Sequence, residues 1–437
     1  MDLTSRLRSI VRPAGAPARE LTYEPDTGRY EATVDLDRVA DVLAGRVVSN
    51  RFGRALIIER RYESDRFHGV RRVGECEVAD GDTLRLLDPS LVPNAAPGAD
   101  ARTIFVDLET TGLSGGAGTV AFLVGCGWFD MGAFQVRQFL LTSYAAERAL
   151  LDAVASCFDA ASLLVTYNGK TFDVPVMETR WMFHRMRMPL EAVRHFDMLH
   201  PARRLWRSRS GLTDDGGCRL TTLERVLLNM RRVGDVNGFE IPGRFFQFLR
   251  TADPRPLEPV LEHNRLDLVS LAAVTSRALR LTAGGEAACK DAIEALAVGR
   301  ILERAGVFDR AEACYRRAAE SRCVDTRAEA LYRLAVRCRR ERRFTEAAQW
   351  WQEVIALTDS AGRRRDTTLG DLRHFAIEAL AVHQEHRARD LESARELALF
   401  ALDDDGVAAV RAAGMRHRLA RIDRKLAKKK NAQLFES

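Results

Sequence analysis

Apolar positions change their spacing twice along the chain, and the changes divide it. Between Arg102 and about Leu281, short β-branched or aromatic runs alternate with stretches of helical period. Thr103-Ile-Phe-Val-Asp-Leu, Val120 to Phe129, Phe134 to Leu141 and Ser162 to Thr166 predict strands, and His195-Phe-Asp-Met-Leu predicts a further strand end. Ala145 to Phe158, Val174 to Met186, Leu220 to Leu228 and Pro256 to Leu281 predict helices. Three meandering strands followed by alternating helix and strand imply an α/β domain with a mixed sheet. Beyond Gly285 the pattern is almost continuously helical. Phe308, Ala311 and Tyr315 recur as Phe344, Ala347 and Trp351, a period of about 36 residues, near that of tetratricopeptide-like helix pairs. A looser copy centres on Leu391 and Ala394.

The ends are less patterned. Residues 1–100 read as a leader, partly β, with Ala55-Leu-Ile-Ile-Glu-Arg as a strand and Pro89 to Ala101 as a linker. The expected organisation is therefore leader 1–100, α/β domain 101–284, helical repeats 285–415 and basic tail 416–437. Arg416 to Lys430 holds a single acid, Asp423, and reads as a solvated face or a phosphate contact.

Composition narrows the class. A chain of 437 residues exceeds one compact core, and 46% apolar with 29% charged residues describes a soluble globular protein. The longest apolar-and-glycine run, Val120 to Phe129, is about half of the roughly 20 residues that span a bilayer. No apolar stretch follows a basic start, so the sequence predicts a cytoplasmic protein with no secretory signal. The net charge of +6 permits a polyanionic partner without demanding one. The eight cysteines include no Cys-x-x-Cys pair and no His at zinc spacing, which favours reduced thiols.

Four carboxylates stand out by placement. Asp107 and Glu109 end the first strand of the α/β region and point to the same side of an extended backbone. Two acids side by side are costly without a counter-charge, which a divalent cation can supply. Asp173 opens a helix after the tight turn in Tyr167-Asn-Gly-Lys-Thr-Phe. His263 and Asp267 lie one helical turn apart, flanked by Leu261, Leu268 and Leu271. Converging, these acids could hold two Mg²⁺ or Mn²⁺ ions, because all-oxygen ligation suits hard cations. Such a pair can clamp an in-line displacement at phosphorus.

Asp107-Leu-Glu109-Thr-Thr-Gly-Leu resembles the first motif of the DEDD exonuclease superfamily, which has a ribonuclease H-like fold. Asn168 to Asp173 resembles its second motif and His263 to Asp267 its third. More narrowly, Leu113-Ser-Gly-Gly-Ala-Gly-Thr, Asp197 to Trp206 and His263-Asn-Arg-Leu-Asp-Leu resemble the YprB-type ribonuclease H-like family, over about residues 102–281. The resemblance implies metal-binding Asp107, Glu109, Asp173 and Asp267, and hydrolysis of phosphodiesters from a 3′ end. Superfamily members with a catalytic His usually place it one residue further from the last Asp. His263 stands at the spacing of members that use Tyr, so it either activates water or orients Asp267 or the substrate.

Other residues are candidates for substrate contact. Thr110, Thr111 and Gly112 could offer backbone N–H groups to a terminal nucleotide. Asn168 and Lys170 could touch the phosphate or sugar of the scissile strand. Arg203, Arg204 and Arg207 beside Trp206 suggest a basic surface able to stack a single strand, unless Trp206 anchors its helix to the core. Asp197 is either a supporting acid or a strand-end cap. The leading expectation is a metal-dependent 3′–5′ exonuclease on single-stranded DNA or RNA, with a protein partner on the helical repeats. The competing one is a binding scaffold with a weakly active or inactive nuclease-like domain.

Overall fold

The computed structural model describes residues 34–78, 81–91, 102–112, 118–191, 193–207, 217–360, 367–402 and 409–436. The linker expected beyond Leu91 and most of the Gly-rich turn before Gly118 lie outside the described residues.

Helix α1 (Leu36–Val42), capped by the Asp35 carboxylate, leads into strands β1 (Arg46–Asn50) and β2 (Gly53–Tyr62). A two-stranded ribbon, β3 (Phe67–His68) and β4 (Arg71–Arg72), and helix α2 (Gly81–Leu87) follow. Next come β5 (Arg102–Thr110), β6 (Ala121–Asp130), β7 (Ala133–Leu140), α3 (Glu147–Ala155) and β8 (Ala161–Thr166). Then come α4 (Asp173–Phe183), β9 (Arg194–Asp197) and α5 (Leu199–Trp206). The α/β region ends with α6 (Leu220–Leu223), which runs into a π-helical turn over Glu224–Leu228, then α7 (Ile241–Thr251) and α8 (Glu258–Gly284).

The seven-stranded sheet has the order β1-β2-β7-β6-β5-β8-β9. Strands β5, β8 and β9 run parallel and the other pairings are antiparallel, giving the mixed sheet expected. Within the expected leader, the described strands β1 and β2 join the sheet of the α/β region. Strand β2 pairs with β7 from Leu56↔Leu140 to Tyr62↔Phe134, so a boundary at residue 100 would cut through one sheet.

Strand β5 is central, and its period-2 alternation decides where its acids point. Ile104 and Val106 pack into the core under α3 and α7, whereas Phe105 packs into the core that contains α5 and α8. Asp107 and Glu109 share the parity of Phe105 and so face α8.

The C-terminal region is all helix: α9 (Ala292–Arg304), α10 (Phe308–Ala319), α11 (Val324–Arg340), α12 (Phe344–Ser360), α13 (Thr367–His383), α14 (Leu391–Leu402) and α15 (Ala409–Glu436). Phe308, Phe344 and Leu391 are the first residues of α10, α12 and α14, and Ala311, Ala347 and Ala394 are buried one turn later. The repeated spacing thus marks the second helix of each successive pair. The expected tail is part of α15, which is docked through Arg418, Arg421 and Lys425 onto the buried Glu385. Among the described residues no helix is long and apolar enough to cross a membrane.

Candidate metal centre

Asp107 sits opposite Gly125 of β6. A Cβ at Gly125 would lie 2.2 Å from the Asn264 side-chain oxygen, so glycine is what lets α8 approach the sheet here. Asn264 is fully buried, and its Nδ2 donates to Asp107 Oδ2 at 2.8 Å and to the Asp107 carbonyl at 3.1 Å. Gln138 Nε2 donates to Asn264 Oδ1 at 2.8 Å and so holds the amide in that orientation.

The second acid arrives through the β8–α4 turn. Asn168 adopts a left-handed φ of 67°, and a Cβ on Gly169 would lie 2.4 Å from Thr166 Oγ1. Asp197 accepts hydrogen bonds from the backbone N–H of Asn168 (2.8 Å), Lys170 (3.0 Å) and Leu199 (3.0 Å), which makes it a cap joining two strand ends. The turn delivers Asp173, whose Oδ1 accepts from the Leu108 backbone N–H at 3.2 Å. The first turns of α8 bring His263 and Asp267 to the same place.

Burial first, then Asp267, Glu109 and Asp173, push the Asp107 carboxyl well above the usual carboxylate range. Burial, Asp267 and Asp173 do the same to Glu109, with Arg232 opposing them. Burial pushes Asp173 up to about 7, against the hydrogen bond from Leu108 and with further push from Asp197 and Asp267. Each predicted acid therefore lies in the field of the others. For Asp107, Glu109 and Asp173 burial is the main cause of the rise, and the neighbouring carboxylates add to it.

Arg232 supplies the counter-charge. Its guanidinium is 5% exposed, bonds Asp267 Oδ1, and reaches Glu224 Oε2 at 2.8 Å and Asp235 Oδ2 at 3.3 Å. Asp235 Oδ1 in turn accepts from His263 Nδ1 at 2.7 Å, while His263 Nε2 lies 3.5 Å from Asp267 Oδ2. Arg232 Nη1 also lies 3.3 Å from Nδ1, so the ring is held among Asp235, Arg232 and Asp267 with a carboxylate facing each of its nitrogens. Glu224, Arg232, Asp235 and Asn264 were not singled out by sequence. Asn264 lay inside a quoted motif, but the other three fall where no period or spacing marks them.

Among the described residues, no group of three His, Cys, Asp or Glu side chains is arranged as a metal cage. The acids are turned toward local partners: Asp107 to Asn264, Asp173 to Leu108 and Asp267 to Arg232. Their chemistry still fits a hard divalent cation. Asp107, Glu109, Asp173 and Asp267 offer only oxygen, and the single guanidinium bonded to this set leaves most of its charge uncompensated.

The remaining candidates divide. Thr110 and Gly112 border a cavity of about 330 Å³ beside Glu109 and Asp173, walled by Leu108, Phe172 and Ile241. The Thr111 N–H is committed to the Val120 carbonyl at 3.0 Å and is not free for a nucleotide. Lys170 Nζ pairs with Asp88 at 3.1 Å, and Arg204 Nη1 donates to the Leu87 carbonyl at 3.1 Å. Trp206 is fully buried, so it anchors α5 and stacks no base. Its period with Leu199 and Ala202 turns it inward, while Arg203, Arg204 and Arg207 face out.

Residues 104–279 match the model of the RNase H superfamily. The uncharacterized protein YprB of Bacillus subtilis (strain 168) is 31% identical over 375 residues, covering 85% of this chain and 86% of that protein. Among solved structures, the family B DNA polymerase of Pyrobaculum calidifontis superposes with a TM-score of 0.33 at 12% identity, over 71% of this chain and 44% of the polymerase. This chain spans under half of that polymerase's length. The extent of the likeness to YprB, with the superfamily match from β5 into α8, places the chain in the YprB family, with a ribonuclease H-like domain.

Proposed function

We propose that the chain hydrolyses phosphodiester bonds of single-stranded nucleic acid from the 3′ end. The observation that carries this is the convergence of Asp107, Glu109, Asp173 and Asp267, from β5, α4 and α8, into one half-buried group whose members repel one another. These four residues are the proposed ligands. Bound there, two Mg²⁺ or Mn²⁺ ions would supply positive charge for the oxygens entering and leaving phosphorus. Asp235 holds the His263 ring with Nε2 toward Asp267, where it can take a proton from water or orient the acid and the substrate. The cavity lined by Leu108, Phe172 and Ile241 offers apolar walls to a terminal sugar and base. The helix pairs beyond Gly285 support a tetratricopeptide-like surface for a protein partner.

Arg232 favours a second reading. Its hold on Asp267 is what a weakly active or inactive scaffold would keep. The two readings separate on a 5′-labelled single-stranded oligonucleotide with Mn²⁺ or Mg²⁺. An exonuclease shortens it stepwise, and Asp107→Asn stops the shortening while the protein stays folded. Intact DNA and RNA after incubation with the wild-type protein and either metal would leave the scaffold.

A further inference from the structure

Beyond the carboxylates, the same sheet edge carries a basic pocket. Strands β5, β8 and β9 are parallel neighbours, so their C-terminal ends open on one side. Asp107 and Glu109 lie at the end of β5, Asn168 just past β8 and Leu199 just past β9. With strands about 4.8 Å apart, the far end of this edge is about 10 Å from the β5 acids. There a cavity of about 700 Å³ is lined by Tyr167, Asn168, Arg203, Arg207, Cys218 and Arg219, among others. The Tyr167 hydroxyl bonds the Cys218 carbonyl and fixes one wall. Burial raises the Cys218 thiol against the charge of Arg203 and Arg207, which line the same cavity.

These arginines differ from several in the helical region. In the helical region Arg300 pairs with Glu329, Arg333 with Glu303 and Arg343 with Glu312. Arg203, Arg207 and Arg219 are exposed and have no carboxylate partner among the described residues. The positive charge continues onto the helical region. Arg304, in the last turn of α9, feels the repulsion of Arg204 on α5, with Asp88 as the nearby acid. Like charges converging on a concave surface favour a polyanion.

We infer that Arg203, Arg207 and Arg219 form a phosphate-binding pocket for a single nucleic-acid strand whose end lies at the carboxylate centre. This rests on the proposed function for the direction of the strand. A chain reaching Asp107 and Asp173 passes over the Asn168 turn, and its next phosphates meet these guanidiniums. Arg204 and Arg304 continue the track toward the helix pairs. Arginine forks suit phosphate oxygens, and Tyr167 offers a ring edge to a neighbouring base.

The test is binding by the full chain without turnover. Fluorescein-labelled 12-nucleotide oligothymidylate and oligouridylate are titrated by anisotropy in Ca²⁺ at several salt concentrations. Replacing all three arginines by Gln should weaken binding by at least ~10-fold and flatten the salt slope by about 2, since each phosphate contact to a single strand contributes roughly 0.7. The triple Lys variant should recover most of the affinity, and a difference between the two oligonucleotides would separate DNA from RNA as the preferred strand. Because the three side chains are exposed and hold no carboxylate among the described residues, melting temperature should not move. If it does, the single variants Arg203→Gln and Arg207→Gln carry the comparison. Wild-type protein that binds neither oligonucleotide, a triple Gln variant with unchanged affinity and slope, or a preference for polyglutamate would each overturn the pocket. Wild-type protein that binds through these arginines but shortens nothing with Mn²⁺ would sink the proposed function and leave the pocket standing.

Discussion

Arg232 occupies an unusual position for a cation, 5% exposed and shared among Glu224, Asp235 and Asp267. Burying a guanidinium is expensive and is offset here by its acidic partners; removing it would leave buried Glu224 and half-buried Asp267 without their ion-pair partner. Breaking such a network typically costs 3–5 kcal/mol. Arg232→Met should therefore destabilise the metal-free protein by about 3 kcal/mol and lower its melting temperature by several degrees. If guanidinium and divalent cation answer the same charge, added Mn²⁺ should raise the melting temperature of the variant more than that of the wild type. Equal increments in the two proteins would mean that Arg232 and the proposed cation site are energetically separate.

Glu385, in the π-helical turn over Gln384–Ala388 after α13, shows how one residue docks a whole element. Its side chain is sealed from solvent and accepts bonds from Arg418 at 3.1 Å, Arg421 at 2.6 Å and Lys425 at 2.7 Å, all on α15. Burial alone would raise its carboxyl, but the bonds from Arg421 and Lys425 prevail and bring it down to about 2. A carboxylate depressed in the folded state stabilises it above the ordinary glutamate value near 4.5, and that stability is lost as pH falls through about 2. Protection factors of the α15 amides, corrected for the intrinsic pH dependence of exchange, should thus fall as pH drops from about 4.5 to 2, and Glu385→Gln should loosen the helix already at neutral pH. Constant protection across that range would show that apolar contacts alone hold α15. Elements such as β5 and α8 were legible because their apolar runs are long and bounded. Strand β1 was not, since Arg46-Val-Val-Ser-Asn has an edge strand's irregular burial. Strand β2 was legible as a strand, but its partner β7 follows about 80 residues later, and that register is written nowhere locally. The acids of the site were legible from their positions at strand and helix ends. Arg232 and Asp235 were not, because α8 meets them only once the chain has folded back. Trp206 was read two ways, since arginines flank it in sequence while the helical period turns it inward.

At the scale of the molecule, the helical region is not an appendage. One apolar core runs from Phe105 of the sheet through Trp206 and Leu271 to Leu296 and Ile301 of α9, Tyr315 of α10 and Leu334 of α11. Separate clusters begin only further on, where Trp351 and Val354 pack against Ala376 and Leu380, and where Ile377 and Ala398 meet Met415. Sequence suggests cutting near Gly285, between α/β and helical patterns. The core argues otherwise, because that cut strips the partners of α8 and α5 and exposes a large apolar face. A protein ending at residue 284 should aggregate or bind hydrophobic dyes. One ending at residue 360 keeps this core closed, loses the contacts of α11 and α12 with α13, and should retain cooperative unfolding and whatever nuclease activity the whole chain has. A soluble, cooperatively folding 1–284 fragment would show that α8 needs no cover from the helix pairs and that the continuity of the core carries little of the stability.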